Sequence, residues 1–318
     1  MLQSQTKWRI YFTIMIIGFL MNSSTAWAWG DLGHRTVAEI AWAYLDVNSR
    51  NQIESILQNQ SLADASTWAD AARPKPEWKF TSHYHFEKIP DNTAYLNNLT
   101  TISSDDQKFG DLIQALFVAE DTFTKSIAIP ADRQHALKFL IHFIGDMHQP
   151  LHTGRVDDIG GNKIKVTWLG FDMNLHQIWD SQIIYLGHED ILKDQDLATQ
   201  SQNYADYLLT KYKAFEMSQD SSPRYDTWLQ ETMPKRIEAY DSVGKDEKTY
   251  TAEFIETIDH QIFIAGFRLA TTLSRLIHQQ AQPGPLNELK EQIIKIVGNF
   301  YDFVSVKPQQ VVSQSELK

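Results

Sequence analysis

Five side chains between His142 and Asp180 have the types and spacing of metal ligands. His142 and Asp146 stand four apart, His152 follows just past Pro150, and His176 and Asp180 repeat the four-residue interval. On a helix that interval puts both members of a pair on one face, one turn apart. Imidazole and carboxylate are the ligands Zn²⁺ takes when no thiolate is present, and the chain has no cysteine. The chemistry on offer is metal-assisted hydrolysis, since zinc can bring a bound water to a pKa of about 7. The rival reading of His142 and Asp146, taken alone, is a buried hydrogen-bonded pair. Two further segments carry donors: Trp68-Ala69-Asp70, followed by Arg73, and Ser82-His83-Tyr84-His85-Phe86. Strand alternation in the second would point His83 and His85 to the same side, so both are candidates.

The elements that must position these groups read as helices. Val37, Ile40, Ala41, Tyr44 and Leu45 form one stripe of helical period. Ala136, Leu137, Leu140, Ile141, Ile144 and Met147 form another, stopped by Pro150. Phe254, Ile255, Ile258, Ile262, Ala265, Leu269 and Leu273 form a third. Ile164, Val166 and Trp168 alternate with polar residues after Gly160-Gly161 and predict a strand, with a second short strand after the turn at Gly170. The expected fold is mainly α, a single helical domain with a short β-hairpin. Gln282-Pro283-Gly284-Pro285 ends the last core helix. Residues 281–318 read as an added amphipathic helix and a polar tail.

Residues 1–28 read as a cleaved export signal: basic Lys7 and Arg9, an apolar run from Ile10 to Met21, and Ala26-Trp27-Ala28 as the cleavage site. A spanning helix needs about 20 apolar residues, so no stable membrane association is expected after cleavage, and the destination is periplasmic or extracellular. Loss of this segment, which has no acids, takes the formal charge from −11 to −13. Such a surface repels long nucleic acid, so any chemistry on nucleic acid needs a local positive centre. Cleavage after Ala28 gives Trp29 a free amine with a reference pKa near 8. With the Trp29 carbonyl and His34, that amine would make a metal chelate.

Six segments occur in order: Trp29-Gly-Asp-Leu-Gly-His34, Trp68-Ala-Asp70, His85-Phe86, His142-Phe-Ile-Gly-Asp146-Met-His-Gln-Pro-Leu-His152, Gly160-Gly-Asn162 and Asn174-Leu-His176-Gln-Ile-Trp-Asp180. Together they make the chain resemble the zinc-dependent, single-strand-specific nucleases of the S-one and P-one type, from Trp29 to about Leu273. The resemblance implies the helical domain shared with zinc-dependent phospholipase C, spanning residues 29–280, and three zinc ions. Asp70, His85 and His142 would hold one ion. Trp29 and His34 would hold a second, with Asp146 bridging the two. His152, His176 and Asp180 would hold the third. Three Zn²⁺ against three aspartates leave about three positive charges, the local centre a phosphodiester needs.

The implied activity is hydrolysis of single-stranded DNA and RNA to 5′-phosphate ends, and of 3′-nucleotides. Asp146 and Arg73 are the candidate catalytic residues, with Arg73 gripping a phosphate oxygen. Phe86 is the candidate surface for stacking a base. His85 is preferred over His83 because Phe86 follows it, and His148 is assigned to support of the ligands. Trp68 and Trp179 are read as core aromatics. Fungal relatives place an acidic residue where this chain has Lys88, so base preference does not carry over. A zinc-dependent phospholipase C and a non-catalytic zinc carrier are the alternative readings. No protein partner is inferred.

Overall fold

The computed structural model describes residues 29–193, 195–214 and 224–310. The export-signal segment, residues 1–28, lies outside the described residues. Helix accounts for 67% and strand for 4%, as the periodicity requires. Several long helices start where the sequence supplies a start signal. Asp111 Oδ1 accepts from Gln114 N at 2.8 Å ahead of Leu112–Lys125, and Pro130 opens Pro130–Met147. Asp246 Oδ1 accepts from Thr249 N at the start of Glu247–Ile277.

The three apolar stripes are the core. Val37, Ile40, Ala41 and Leu45 are buried, whereas Tyr44, at the end of Asp31–Tyr44, is 41% exposed. Every residue of the second stripe is buried, and so is the third except half-buried Ile255. Asp31–Tyr44 packs across Glu247–Ile277, and Pro130–Met147 packs between Leu112–Lys125 and Glu247–Ile277. The predicted hairpin is present, with Lys165–Trp168 antiparallel to Phe171–Asn174 and Trp168 opposite Phe171. A second, two-residue ladder pairs Glu87–Lys88 in parallel with Thr153–Gly154. It joins the stretch after His85 to the stretch after His152.

Two expectations need correction. Residues 79–83 form a 3₁₀ turn, not a strand, so His83 and His85 do not share a side through alternation. The segment beyond the amphipathic helix Gly284–Val297 is not simply polar, since Phe300, Val304 and Val306 are buried. Ser305 N donates to Tyr84 Oη at 3.3 Å and Gln309 N to the Glu77 carbonyl at 3.1 Å, tying the C-terminal stretch to the segment before His85.

Gly266 lies where Glu247–Ile277 crosses Asp31–Tyr44. A Cβ there would lie 2.6 Å from Ile40 Cβ and 2.8 Å from the Val37 carbonyl oxygen. Gly266→Ala is therefore expected to force the two helices apart at a cost of about 1–3 kcal/mol. Calorimetry should show a melting temperature lower by about 2–10 °C; an unchanged or raised value would mean that this crossing relaxes freely.

Candidate metal centre

Separate elements converge on one buried cluster. His34 comes from Asp31–Tyr44, Asp70 from the short helix Trp68–Ala72, and His142 and Asp146 from Pro130–Met147. His85 lies just beyond the 3₁₀ turn and His152 closes the turn Pro150–His152. His176 sits on Leu175–Gln177, capped by Asn174 and Gln177, and Asp180 on the π-helical turn Ile178–Gln182. All eight side chains are 5% exposed or less.

The separations suit a tetrahedral zinc, whose bonds of about 2.0–2.1 Å set ligand atoms about 3.3 Å apart. His85 Nδ1 is 3.1 Å from His142 Nε2 and 3.5 Å from Asp70 Oδ1. His142 Nε2 is 3.6 Å from that same oxygen. Asp146 divides its two oxygens. Its Oδ2 faces His85 Nδ1 at 3.1 Å and His142 Nε2 at 3.3 Å, while Oδ1 faces His34 Nε2 at 3.2 Å. The donor atoms of His152, His176 and Asp180 form a separate group within 4.8 Å of one another, with His176 Nε2 3.6 Å from Asp180 Oδ2. His34 also groups with Asp70 and His142, so the two sites expected around Asp146 merge into one five-residue cluster.

Backbone carbonyls decide which nitrogen each ring offers. His142 Nδ1 donates to the Ser66 carbonyl at 2.7 Å, His152 Nδ1 to that of His85, and His176 Nδ1 to that of Gly160 at 2.6 Å. A carbonyl only accepts, so each ring must carry its proton on Nδ1 and keep a lone pair on Nε2. His152 Nε2, His34 Nε2, Asp70 Oδ1 and Asp146 Oδ1 are buried without a hydrogen-bond partner. Buried polar atoms left in that state cost about 1–3 kcal/mol each. Cations held within each group would give these atoms partners, so the residues present fit zinc.

Two residues act here that the sequence reading left without a role. Gln149 Nε2 donates to Asp180 Oδ1 at 2.7 Å, aiming the other oxygen at His176. Gly145 leaves room for His34, whose Nδ1 would be 2.7 Å from a Cβ at that position. Both stand inside the quoted run 142–152, but neither is a ligand type at a ligand interval. The His148 ring turns to other partners: its Nδ1 donates to the Ile144 carbonyl at 2.7 Å, and Arg268 Nη1 donates to its Nε2 at 3.0 Å. His83 stacks on Phe109 instead of joining the cluster. Trp179 is core, with Nε1 donating to Tyr250 Oη, and Trp68 packs against Trp78 and Phe139.

The remaining candidates border the cluster. Arg73 Nη1 lies 3.8 Å from Asp70 Oδ1. Phe86 is half-buried, with Lys88 Nζ 5.5 Å from its ring centroid. Trp29 is buried with its side chain against Gly33, and Gly30 N donates to the Asp180 carbonyl at 2.9 Å, which ties the start of the described chain to the third group.

Burial dominates the titration. It pushes the Asp70 and Asp146 carboxyls up to about 6 and Asp180 well above the carboxylate range. It lowers His34 to about 4, helped by the charge of His142, and takes His85 and His152 well below the ordinary histidine value. In the metal-free protein these imidazoles are neutral and ready to ligate at pH 7, while protons compete for the carboxylates up to about pH 6. Apparent zinc affinity, measured by chelator competition, should therefore hold above pH 7 and fall as the pH drops through about 6. An affinity flat from pH 7.5 to 5 would show that the carboxylates do not ligate. Gln149→Ala should weaken the third group alone by about 10–100-fold.

The family model described as S1/P1 Nuclease matches residues 29–278. Endonuclease 3 of Arabidopsis thaliana is 35% identical over 176 residues, covering 54% of this chain and 59% of its own length. Endonuclease 4 of the same plant is 31% identical over 196 residues, 58% of this chain and 63% of its own length. The chain thus spans less than two thirds of both plant relatives. Nuclease P1 of Penicillium citrinum is 31% identical over 267 residues, 78% of this chain and 97% of its own length.

Proposed function

This chain belongs to the S1/P1 nuclease family, and on that premise we propose that it is a zinc-dependent phosphodiesterase. Its substrates are single-stranded DNA and RNA, cut to 5′-phosphate ends, and 3′-nucleotides. The observation that carries the reading is Asp146, buried with each oxygen facing a different group of histidines and with a third histidine–aspartate group beside it. That is the donor set for three ions held close together. Asp70, His85 and His142 would hold the first ion, Trp29 and His34 the second, with Asp146 shared between them, and His152, His176 and Asp180 would hold the third. Zinc bound there supplies Lewis acidity toward the phosphate and activates water near neutral pH.

The protein's own groups do the rest. Arg73 offers a guanidinium fork beside Asp70, placed to hold a phosphate oxygen during transfer. Phe86, next in sequence to His85, gives an unpaired base a face to stack on. Lys88 borders that face with an ammonium, which donates hydrogen bonds and accepts none. Duplex DNA is too stiff to bring a phosphorus into a cluster this deeply buried, so the site selects strands that bend.

In an unbroken chain the Trp29 nitrogen is an amide with no lone pair to give. Cleavage after Ala28 would turn it into a free amine five residues before His34, so we read the enzyme as exported and trimmed to residues 29–318, with 29–280 as the catalytic domain and 281–318 as an extension. No helix among the described residues is long and apolar enough to cross a membrane.

The direct test is cleavage of single-stranded DNA, duplex DNA and phosphatidylcholine vesicles by the purified protein, with end-group analysis and zinc determination. Single-strand cleavage that chelation abolishes and Zn²⁺ restores supports the reading; lipid turnover without nucleotide release overturns it. Asp146→Asn should lower kcat/KM by more than about 100-fold, and Lys88→Ala should lower it far less. Equal losses at full zinc content would mean that Asp146 is not the bridge. Mass spectrometry of the active protein should find Trp29 at its N-terminus.

A further inference from the structure

Beside the metal cluster lies an aromatic surface that the reaction, as described, does not use. Phe109 is 53% exposed. It is nevertheless ordered by its neighbours. Its ring lies on that of His83, with centroids 4.8 Å apart and planes 23° from parallel. His83 lies two residues before ligand His85 and Phe86 directly after it, and Lys88 Nζ stands 5.5 Å from the Phe86 centroid. Phe109 with His83 and Phe86 with Lys88 thus make a row of two pairs, one on each side of His85 in the chain.

The row is braced from behind. Gly110, at φ +72°, packs so closely that a Cβ would fall 2.4 Å from Val304 Cγ2 and 3.1 Å from Tyr84 Cε1. Phe109 N donates to the Asp106 carbonyl at 3.1 Å and Gly110 N to that of Gln107 at 3.2 Å. Val304 belongs to the C-terminal stretch beyond residue 278, where the family match ends. The C-terminal stretch therefore packs against the residue that follows Phe109. An exposed ring, a second ring beneath it and an ammonium close by in the chain are the parts that bind successive unpaired bases and the phosphate between them.

We propose that Phe109, seated on His83, is a second base-stacking surface for single-stranded nucleic acid, with Lys88 contacting the phosphate that links its nucleotide to the one on Phe86. The ligand is a strand with at least one unpaired nucleotide beyond the pair flanking the scissile bond. The proposal rests on the nuclease reading and adds a subsite to it.

The experiment compares a dinucleotide with a single strand of about twelve nucleotides, using the full mature protein loaded with zinc. Phe109→Ala should lower the ratio of kcat/KM for the long strand to that for the dinucleotide by about 5–20-fold, mainly through KM on the long strand. Phe109→Trp should restore the ratio. Ile127→Ala, an exposed apolar residue outside this row, should leave it alone. Lys88→Gln should reduce the slope of log KM against log salt for the long strand by about 0.7. An unchanged ratio in Phe109→Ala, while the wild type cleaves both substrates, would overturn the subsite. So would an equal fall in Ile127→Ala. Failure of the wild type to cleave either substrate would overturn the nuclease reading beneath it.

Discussion

Asp146 is the constraint around which this molecule is arranged. A fully buried carboxylate faces His34 through one oxygen and His85 and His142 through the other. Removing an isolated carboxylate from water is prohibitively costly unless it is protonated or paired with positive charge. Here burial drives the carboxyl upward, and the surrounding imidazoles are themselves driven neutral by burial. The cluster has the composition of a half-built ion pair whose other half is a metal. The same logic applies to Asp180, which has Gln149 on one oxygen and His176 near the other.

Building such a cluster demands more of the backbone than of the ligands. Three histidines spend one nitrogen on a main-chain carbonyl, and those carbonyls belong to segments far apart in sequence: Ser66, His85 and Gly160. The bond from His152 to the His85 carbonyl couples the third group to the first. The short parallel ladder between residues 87–88 and 153–154 runs directly behind it. Buried Arg236 extends the tie, donating to the Ile89 and Thr153 carbonyls and to Asp91, which also accepts from Arg155. Displacing either ligand loop therefore disturbs both groups. That is a physical reason for ligands carried on separate loops to keep sub-ångström relations.

The helices and the histidine–aspartate cluster are legible because their signals are local. An apolar stripe at helical period, a proline stop and a four-residue histidine–aspartate interval each follow from geometry within two turns, and His142 with Asp146 lies where that geometry puts it. Legibility failed where the determining contact was distant. Nothing near His83 indicates a 3₁₀ turn, and His83 and His85 diverge because Tyr84 is held by the C-terminal stretch. Gln149 is an unremarkable amide in sequence and matters only because the chain turns at Pro150 to meet Asp180. The segment after Gly298 looked polar because its buried residues, Phe300, Val304 and Val306, are too widely spaced to form a stripe. His148 misled in the opposite way: it stands among ligands in sequence, yet its ring is committed to Ile144 and Arg268.

Charge explains why an aromatic route into the cluster is worth building. The chain carries a formal net charge of −11, so its general surface offers a phosphate backbone repulsion, not capture. Affinity for a strand must then come from short-range terms close to the cations. Stacking is the natural one, because it acts on the face of any base, is insensitive to salt, and is unavailable to a base still paired in a duplex. A site that relied on surface lysines would bind double strands as well, since duplex DNA has the greater charge density. Under the proposed function, an acidic exterior with rings and an ammonium at the entrance would reject the duplex twice, once by repulsion and once by geometry. Preference for unpaired substrate would then be a property of the whole surface, with the metal cluster left only to cut what reaches it.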